Sequence, residues 1–281
     1  MISPETTLYV YEVRGDVGDR LSAPPLSFLG IWNEEDFCYL FFTSSEDHYV
    51  ERILAFDTSR IDSRHEVKYS DWQTGLPADG LLVEGIYFVA DDHPEPPPGA
   101  ILLDPSVVFG DGSHPTTTRC LSFLTEIIRN YQAASLLDLG TGTGILALAA
   151  ARLGIKHITA IDKNRLAANV AQRNVQANDY SSIIQVREGE ARLFIDDNYD
   201  IVTANLPFEV LRELVTLKAA SLQKFWIVSG ISKDQGHTLK ELLQEQGYRI
   251  PAEHSDHPWV TFVAVNNSVK CRCFSTHEGR Q

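Results

Sequence analysis

Long apolar runs, paired cysteines and a basic leader are all missing from this 281-residue chain. No run approaches the roughly 20 apolar residues that cross a bilayer, and residues 1–5 have neither the basic start nor the apolar core of a signal peptide. Cys38, Cys120, Cys271 and Cys273 are the only cysteines, and their spacing is not a disulfide framework. Since the lone Cys-x-Cys lacks the second ligand pair of a structural zinc site, we expect no metal. These absences favour a cytoplasmic protein.

Basic residues are scarce in the first part of the chain. The formal net charge is −14, and residues 1–100 hold 19 acidic and 6 basic residues, a balance of −13. Residues 101–281 hold 19 acidic and 18 basic residues, a balance of −1. An acidic segment repels a polyanion such as RNA and attracts a basic protein. We therefore expect a basic protein partner and no direct binding to nucleic acid or membrane. The alternative explanation is that the acidic surface serves only to keep the protein in solution.

A glycine-rich turn is the most informative feature of the sequence. An apolar run that contains Asp138 is followed at once by Gly140, Gly142 and Gly144 and then by a helical pattern. This order predicts a buried parallel strand that turns tightly into a helix and leaves its backbone open to a ligand. Dinucleotide sites need G-x-G-x-x-G, whereas G-x-G-x-G after an acid is typical of S-adenosylmethionine sites. We expect Asp138 near the methionine amino group and the glycines beside the amino-acid part.

Three later segments suit the rest of such a cofactor. A second apolar run, residues 158–161, ends in Asp162, and an acid at the tip of that strand suits the ribose hydroxyls. Glu190 and Ala191 follow the third predicted strand, where these enzymes contact adenine, with an ordinary turn as the alternative. Asn205 ends the fourth predicted strand in the sequence Asn-Leu-Pro-Phe, which is similar to the N-P-P-[YF] motif of amino-group methyltransferases. Helix capping is the alternative role for both Asp162 and Asn205.

The segment before the glycine turn carries a family resemblance. Residues 103–117 read LDPSVVFGDGSHPTT, which resembles the signature D-P-G-x-A-F-G-T-G-x-H-x-T-T of the PrmA family, the methyltransferases of ribosomal protein L11. Residues 205–206 and 229–234 are similar to later blocks of that family, and the resemblance covers about residues 101–266. The chain departs from the signature at Ser106, Val108 and Asp111, where the family has Gly, Ala and Thr.

The resemblance implies a class I S-adenosylmethionine-dependent methyltransferase that modifies lysine or α-amino groups of a protein, with a large-subunit ribosomal protein as substrate. It also implies that Thr117 contacts the cofactor and that residues 109–114 cover it. Asn205 would bind at the cofactor and orient the reacting amine, while His114 has a structural role. Methylation of another basic protein or of a small molecule, or a non-catalytic cofactor-binding scaffold, stays open as an alternative.

The element patterns predict a Rossmann-like α/β domain over residues 101–266. Alternating strands and helices give a parallel sheet with helices on both faces, and two last strands, 248–254 and 259–265, form an antiparallel hairpin at its end. The predicted helices are 114–130, 145–153, 165–178, one ending at 222, and 235–246. The predicted strands before the hairpin are 135–139, 157–161, 183–187, 199–204 and 225–229.

Residues 1–90 predict a small acidic α+β domain for substrate recognition. Strand 7–13 is followed by a hairpin of strands 28–32 and 38–43, by a helix over 44–56 capped by Ser44 or Ser45, and by a strand over 65–69. Residues 91–100 contain four prolines and are expected to form a stiff linker. Residues 267–281 are expected to form a flexible tail.

Overall fold

The structure is a computed structural model that describes residues 2–3, 5–33, 36–72, 76–77, 79–270 and 274. Within these ranges the chain forms strands grouped in three sheets, together with seven α-helices. The strands are β1 (Thr7–Arg14), β2 (Phe28–Asn33), β3 (Phe37–Phe42), β4 (Ile61–Lys68), β5 (Leu81–Val83), β6 (Ile86–Ala90), β7 (Ile101–Leu103), β8 (Ser135–Leu139), β9 (His157–Asp162), β10 (Ile184–Glu188), β11 (Ile201–Asn205), β12 (Phe225–Ser232), β13 (Tyr248–Asp256) and β14 (Trp259–Asn266). The helices are α1 (Asp47–Ile53), α2 (Tyr69–Trp72), α3 (Pro115–Asn130), α4 (Ile145–Arg152), α5 (Arg165–Ala177), α6 (Phe208–Thr216) and α7 (Lys233–Glu245).

The largest sheet confirms the predicted Rossmann-like domain. Its order is β10-β9-β8-β11-β12-β14-β13, and the first five strands pair in parallel. The last two form the expected hairpin, with β14 antiparallel to both β12 and β13. One apolar cluster packs on each face, since alternate residues of the central strands point to opposite sides. The strand order reverses between β8 and β11, which places their carboxyl ends where α/β sheets bind ligands.

The N-terminal sheet confirms the small α+β domain. Its order is β2-β3-β1-β4, and all its pairs are antiparallel. Helix α1 packs Val50 and Ile53 against one face, and Leu54, the residue after the helix, is buried with them. Strand β4 begins four residues before its predicted start, at Ile61. The sequence missed these four residues because most of the strand is polar and lies at the sheet edge, where burial imposes little pattern.

The start of α1 differs from the prediction. The helix was expected over residues 44–56 with Ser44 or Ser45 as its cap, but it begins at Asp47, after Glu46. The two serine hydroxyls donate to the carboxylates of Glu46 and Asp47, and neither caps a backbone N–H. The predicted cap was wrong because the helix begins later, so that Glu46 and not a serine occupies the N-cap position.

A small sheet of β5, β6 and β7 was not predicted. Its strands are three to five residues long, too short to show a period. Strands β6 and β7 pair in parallel, so residues 91–100 connect two strands of one sheet. The helix expected to end at residue 222 is also divided, because α6 stops at Thr216 and a separate 3-10 turn covers Lys218–Leu222.

The two parts of the molecule share an apolar cluster. One face of the N-terminal sheet packs against α5 and the segment after β7, and the cluster contains Leu8, Val10, Phe41, Val107, Val108, Leu166, Ala167 and Val170. Polar contacts fix the same segment, since the Tyr69 hydroxyl donates to Ser106 O at 2.6 Å and the Trp72 indole donates to Val107 O at 2.9 Å. The segment that carries the family signature is therefore fixed both by apolar packing and by hydrogen bonds.

Asn174 of α5 and Asn178, the C-cap of that helix, bind the backbone at and after β7. The Asn174 side chain accepts from Asp104 N and donates to Asp104 O and to Thr143 O, all at 2.9 Å. One turn later, Asn178 accepts from Leu102 N at 2.9 Å and donates to Leu102 O at 2.7 Å. These amide pairs replace the hydrogen bonds of a neighbouring strand, and Asn174 also connects the segment to the glycine turn.

Replacing Asn174 should destabilise the domain. Asn174→Ala leaves the buried polar groups of Asp104 and Thr143 without partners, and we expect a loss of about 2 kcal/mol or more in the free energy of unfolding. Urea denaturation measures this loss. Asn130→Ala is the control, because Asn130 is exposed and bonds only within its own helix; equal losses in the two variants would refute the role of Asn174.

Candidate functional site

The glycine turn adopts backbone angles that other residues resist. Gly140, Gly142 and Gly144 have φ values of +71°, +56° and +85°. The N–H groups of Gly140 and Thr141 both donate to Ile161 O, at 2.8 and 2.9 Å, so the turn is held against the end of β9. A Cβ on Gly142 would lie 2.4 Å from Phe109 O. The turn thus needs glycine both for its conformation and for the close approach of another backbone.

Asp138 lies inside the domain, directly behind this turn. Its carboxylate accepts from the hydroxyls of Thr141 and Thr203, at 2.5 and 2.6 Å, and only 1% of the residue is exposed. Burial raises the pKa of the Asp138 carboxyl to about 6, although the two hydroxyl bonds oppose that rise. In this arrangement the Asp138 carboxylate stabilises the glycine turn from the interior of the domain, through its bond from Thr141. Its contact with a methionine amino group stays a prediction.

Asp162 connects the second strand to the glycine turn. Its Oδ2 accepts from Gly142 N at 3.0 Å and its Oδ1 accepts from Asn164 N at 2.9 Å. Burial raises the pKa of this carboxyl as well. Asn164 caps α5 through a bond from Leu166 N, so the capping role considered for Asp162 belongs to a different side chain. The remaining acceptor capacity of Asp162 suits a pair of hydroxyls.

The predicted adenine contacts lie beside Asp162. Gly189 N donates to Asp162 O at 2.9 Å, which brings the end of β10 to the same sheet edge. Glu190 is exposed and precedes a 3-10 turn that begins at Ala191. The Phe194 ring closes against Gly189, where an added Cβ would lie 2.8 Å from a ring carbon. The apolar ring next to exposed backbone is the kind of surface on which a base stacks.

Asn205 ends β11 and takes part in a polar chain that reaches α3. Its Nδ2 donates to Thr116 Oγ1 at 3.1 Å, and Thr116 Oγ1 lies 2.7 Å from His114 Nδ1. His114 is the N-cap of α3, since Nδ1 accepts from Thr116 N. Burial lowers the pKa of the His114 imidazole, which favours the neutral form that can accept this bond. The imidazole therefore acts in the fold, as expected.

Thr117 is a buried hydroxyl whose bonding is incomplete. Only 2% of the residue is exposed, and in the part of the chain that the structure describes its Oγ1 has no hydrogen-bond partner. A buried hydroxyl without a partner is costly and usually marks a place for a ligand or water. The hydroxyl lies in the first turn of α3, next to the residue that bonds Asn205. This orphaned group and the glycine turn both fit a small polar ligand.

The residues that cover the glycine turn come from two distant segments. Thr143 N and Oγ1 donate to Phe109 O and Gly110 O, at 3.2 and 2.6 Å, which seats the 109–114 loop on the turn. The His114 ring lies between the rings of Phe109 and Trp259, with centroids 5.3 and 5.8 Å away. Sequence reasoning missed Trp259, which the β13–β14 hairpin delivers; the only signal was an aromatic residue directly after a predicted turn.

Leucine takes the place of proline beside Asn205. The Leu206 side chain packs on Gly140, where an added Cβ would lie 2.3 Å from Leu206 Cδ2. On the other side, a Cβ on Gly230 would lie 2.9 Å from Asn205 Oδ1. Gly230 has a φ of +84°, so both space and backbone conformation require glycine there. The amide of Asn205 is thus confined between β12 and α3.

Among the residues that the structure describes, no three His, Cys, Asp or Glu side chains lie close enough together to hold a metal ion. Cys271 and Cys273 lie outside the described residues, while Cys38 and Cys120 are buried free thiols. None of the helices described is long and apolar enough to cross a membrane.

Comparison with known proteins places these features in one family. The family model described as "Ribosomal protein L11 methyltransferase (PrmA)" matches residues 86–267. The ribosomal protein L11 methyltransferase of Desulforamulus reducens is 34% identical over 249 residues, which are 88% of this chain and 72% of that protein. The protein of the same name from Staphylococcus saprophyticus is 33% identical over 165 residues, 58% of this chain. That match spans about half of the relative's length, 52%.

A solved structure supports the fold. The crystal structure of ribosomal protein L11 methylase from Lactobacillus delbrueckii subsp. bulgaricus matches with a TM-score of 0.57 and 26% sequence identity. The match covers 65% of this chain and 95% of that chain. This likeness confirms the class I methyltransferase fold predicted from the order of strands and helices.

Substitution of Gly142 should impair the site through close approach as well as strain. In Gly142→Ala the new methyl group meets Phe109 O, and we expect the affinity for S-adenosylhomocysteine to fall at least tenfold, measured by calorimetry. Gly247→Ala is the matched control, since Gly247 has a φ of +87° with no atom within 4 Å of an added Cβ. That control should cost about 1–2 kcal/mol of stability for its left-handed backbone and leave the affinity unchanged. If the two variants bound S-adenosylhomocysteine with equal affinity, the proposed role of the contact between Gly142 and Phe109 would be refuted.

Proposed function

Since this chain belongs to the ribosomal protein L11 methyltransferase (PrmA) family, we propose that it transfers a methyl group from S-adenosylmethionine to an amino group of ribosomal protein L11. The target group is a lysine or an α-amino group. The single observation that carries this proposal is the convergence of the glycine turn, Asp162 and Asn205 at one edge of the large sheet.

The cofactor would lie along this edge. The glycine turn would border its amino-acid part, while Thr117 supplies a hydroxyl whose hydrogen bond is unmade. Asp162 would accept the ribose hydroxyls, and Glu190 and Ala191 would border the adenine. When bound, this cofactor supplies a methyl group that its positive sulfur has already activated. The protein therefore needs chiefly to bind, align and exclude water, and alignment alone supplies up to about 7–11 kcal/mol in ideal cases.

The reacting amine must lose its proton before it can attack. A free lysine has a pKa of about 10.4, and transfer into a pocket with little water favours its neutral form. The Asn205 amide is fixed through Thr116, so its oxygen is available to accept an amine hydrogen and direct the lone pair. His114 is an unsuitable base, because its Nδ1 already accepts from the backbone of α3. The proton therefore passes to solvent water as the amine enters the pocket.

Transfer of label tests this function directly. The purified protein is incubated with radiolabelled S-adenosylmethionine and ribosomes from cells that lack its gene, and the labelled proteins are then separated by mass. Label on ribosomal protein L11 is the expected result. Label on another basic protein would assign a different substrate to the same chemistry. Cofactor binding without any label would refute a ribosomal substrate and leave a non-ribosomal protein, a small amine or the non-catalytic scaffold.

Asp162 should be needed for cofactor affinity. Asp162→Ala removes the proposed acceptor of the ribose hydroxyls, and we expect calorimetric affinity for S-adenosylhomocysteine to fall at least tenfold, about 1.4 kcal/mol. Asn164→Ala is the control, since it removes the cap of α5 and leaves the acid in place. It should lower stability with little change in affinity. Unchanged affinity in Asp162→Ala would rule out the ribose contact.

Asn205 should matter for turnover more than for cofactor binding. Loss of one group that positions reacting atoms typically costs a factor of roughly 100 in rate, so we expect Asn205→Ala to lower kcat by about that factor. Its affinity for S-adenosylhomocysteine should change less than threefold. Asn267→Ala is the control, because Asn267 is exposed and far along the chain from the site. Equal losses in rate and affinity would reassign Asn205 to cofactor binding or folding.

A further inference from the structure

A wide cleft opens between the N-terminal sheet and the segment after β7. Its volume is about 750 Å³, and its walls include Trp32, Tyr39, Phe41, His65, Trp72 and Phe109. Two of these side chains are unusually open for large apolar residues, since 44% of Trp72 and 50% of Phe109 are exposed. Aromatic rings on several sides of one space are suited to a flat apolar group or to a cation.

A carboxylate lies on the same face of the sheet. Glu12 is opposite Tyr39 on β3 and Ser63 on β4, and opposite residues share a face. The hydroxyls of these two neighbours donate to the Glu12 carboxylate, at 3.2 and 2.6 Å. His65 lies beside this group, with its Nε2 2.7 Å from Ser63 Oγ. Among the residues described, no lysine or arginine pairs with Glu12, so its charge is oriented but not neutralised.

The cleft adjoins the cofactor edge through one residue. The Phe109 side chain lines the cleft, while its carbonyl oxygen accepts from Thr143 in the glycine turn. The same ring packs on His114, which is linked through Thr116 to Asn205. A ligand bound in the cleft would therefore contact Phe109, whose backbone also covers the glycine turn.

We propose that this cleft binds the side chain of a lysine in the protein substrate, distinct from the group that is methylated. The aromatic rings would enclose the alkyl stem and face the ammonium group, and Glu12 would oppose its charge. A basic protein is the fitting source because the first 100 residues carry a balance of −13. This proposal rests on the proposed function for its substrate, and the cleft itself is accessible to a test without turnover.

Binding of a small lysine compound tests the cleft alone. Nα-acetyl-lysine N-methylamide is titrated into the full chain while the indole NMR signals of its four tryptophans are followed. We expect the signals of Trp32 and Trp72 to shift, and the neutral norleucine analogue to cause no comparable shift at equal concentration. Glu12→Gln keeps the shape of the side chain and removes its charge, although one of the two accepting oxygens becomes an amide NH2. It should weaken the lysine compound about tenfold.

Glu66→Gln is the matched control. Glu66 is exposed on β4 and points to the opposite face from its neighbours His65 and Val67, which line the cleft. It removes the same charge from the same sheet and should leave binding unchanged. Equal effects of the two variants, equal binding of norleucine, or signals that shift with protein concentration alone would overturn the proposal. Equal effects of the two variants would indicate a general electrostatic attraction to the acidic sheet. Equal binding of norleucine would indicate a site for apolar ligands, and signals that depend on protein concentration would indicate binding of a second copy of the chain.

Kinetics with ribosomal protein L11 give a second readout. Glu12→Gln should raise KM about tenfold with kcat unchanged, because the cleft holds the substrate away from the reacting atoms, and Trp32→Leu should act in the same direction. Unchanged KM in both variants would overturn the cleft as a substrate site. Absence of methylation in the unaltered protein would instead refute the proposed function, while the NMR titration still decides whether the cleft binds lysine.

Discussion

The close approach of two backbones, at Phe109 and Gly142, is the constraint on which the site depends. No side chain fits at Gly142, because a Cβ would lie 2.4 Å from Phe109 O. Asn174 supports this contact, because it bonds Asp104 in the segment that leads to Phe109 and Thr143 next to Gly142. Such a contact between loops would otherwise be lost to chain entropy. Helix α5, which carries Asn174, holds the two loops in place. The loops themselves present the exposed polar groups of the site.

The same segment joins the acidic N-terminal sheet to the larger domain. Ser106 and Val107 accept hydrogen bonds from Tyr69 and Trp72, and the apolar cluster around them continues into α5. The contacts that fix the N-terminal sheet therefore involve the segment that leads into the loop covering the glycine turn.

Two buried acids give the turn an electrostatic character. Asp138 lies below it and Asp162 beside it, and burial raises the pKa of both carboxyls. Hydroxyl and backbone N–H bonds offset part of that cost. A positively charged ligand next to these acids would relieve the remainder, because an opposite charge nearby favours the ionised form.

The sequence by itself determined the large sheet, its helices, the hairpin of β13 and β14, and the glycine turn, because buried parallel strands and amphipathic helices each impose a period on nearby residues. It also singled out Asp162 and Asn205, because both end strands and strand ends follow from chain order, whereas Thr117 came from the family resemblance. Only the tertiary structure decided that Asn174 clamps Asp104, that Trp259 reaches His114, and that β5 to β7 pair. Short strands leave no period to read, and contacts between residues 70 or more positions apart depend on how elements pack, which no local pattern encodes.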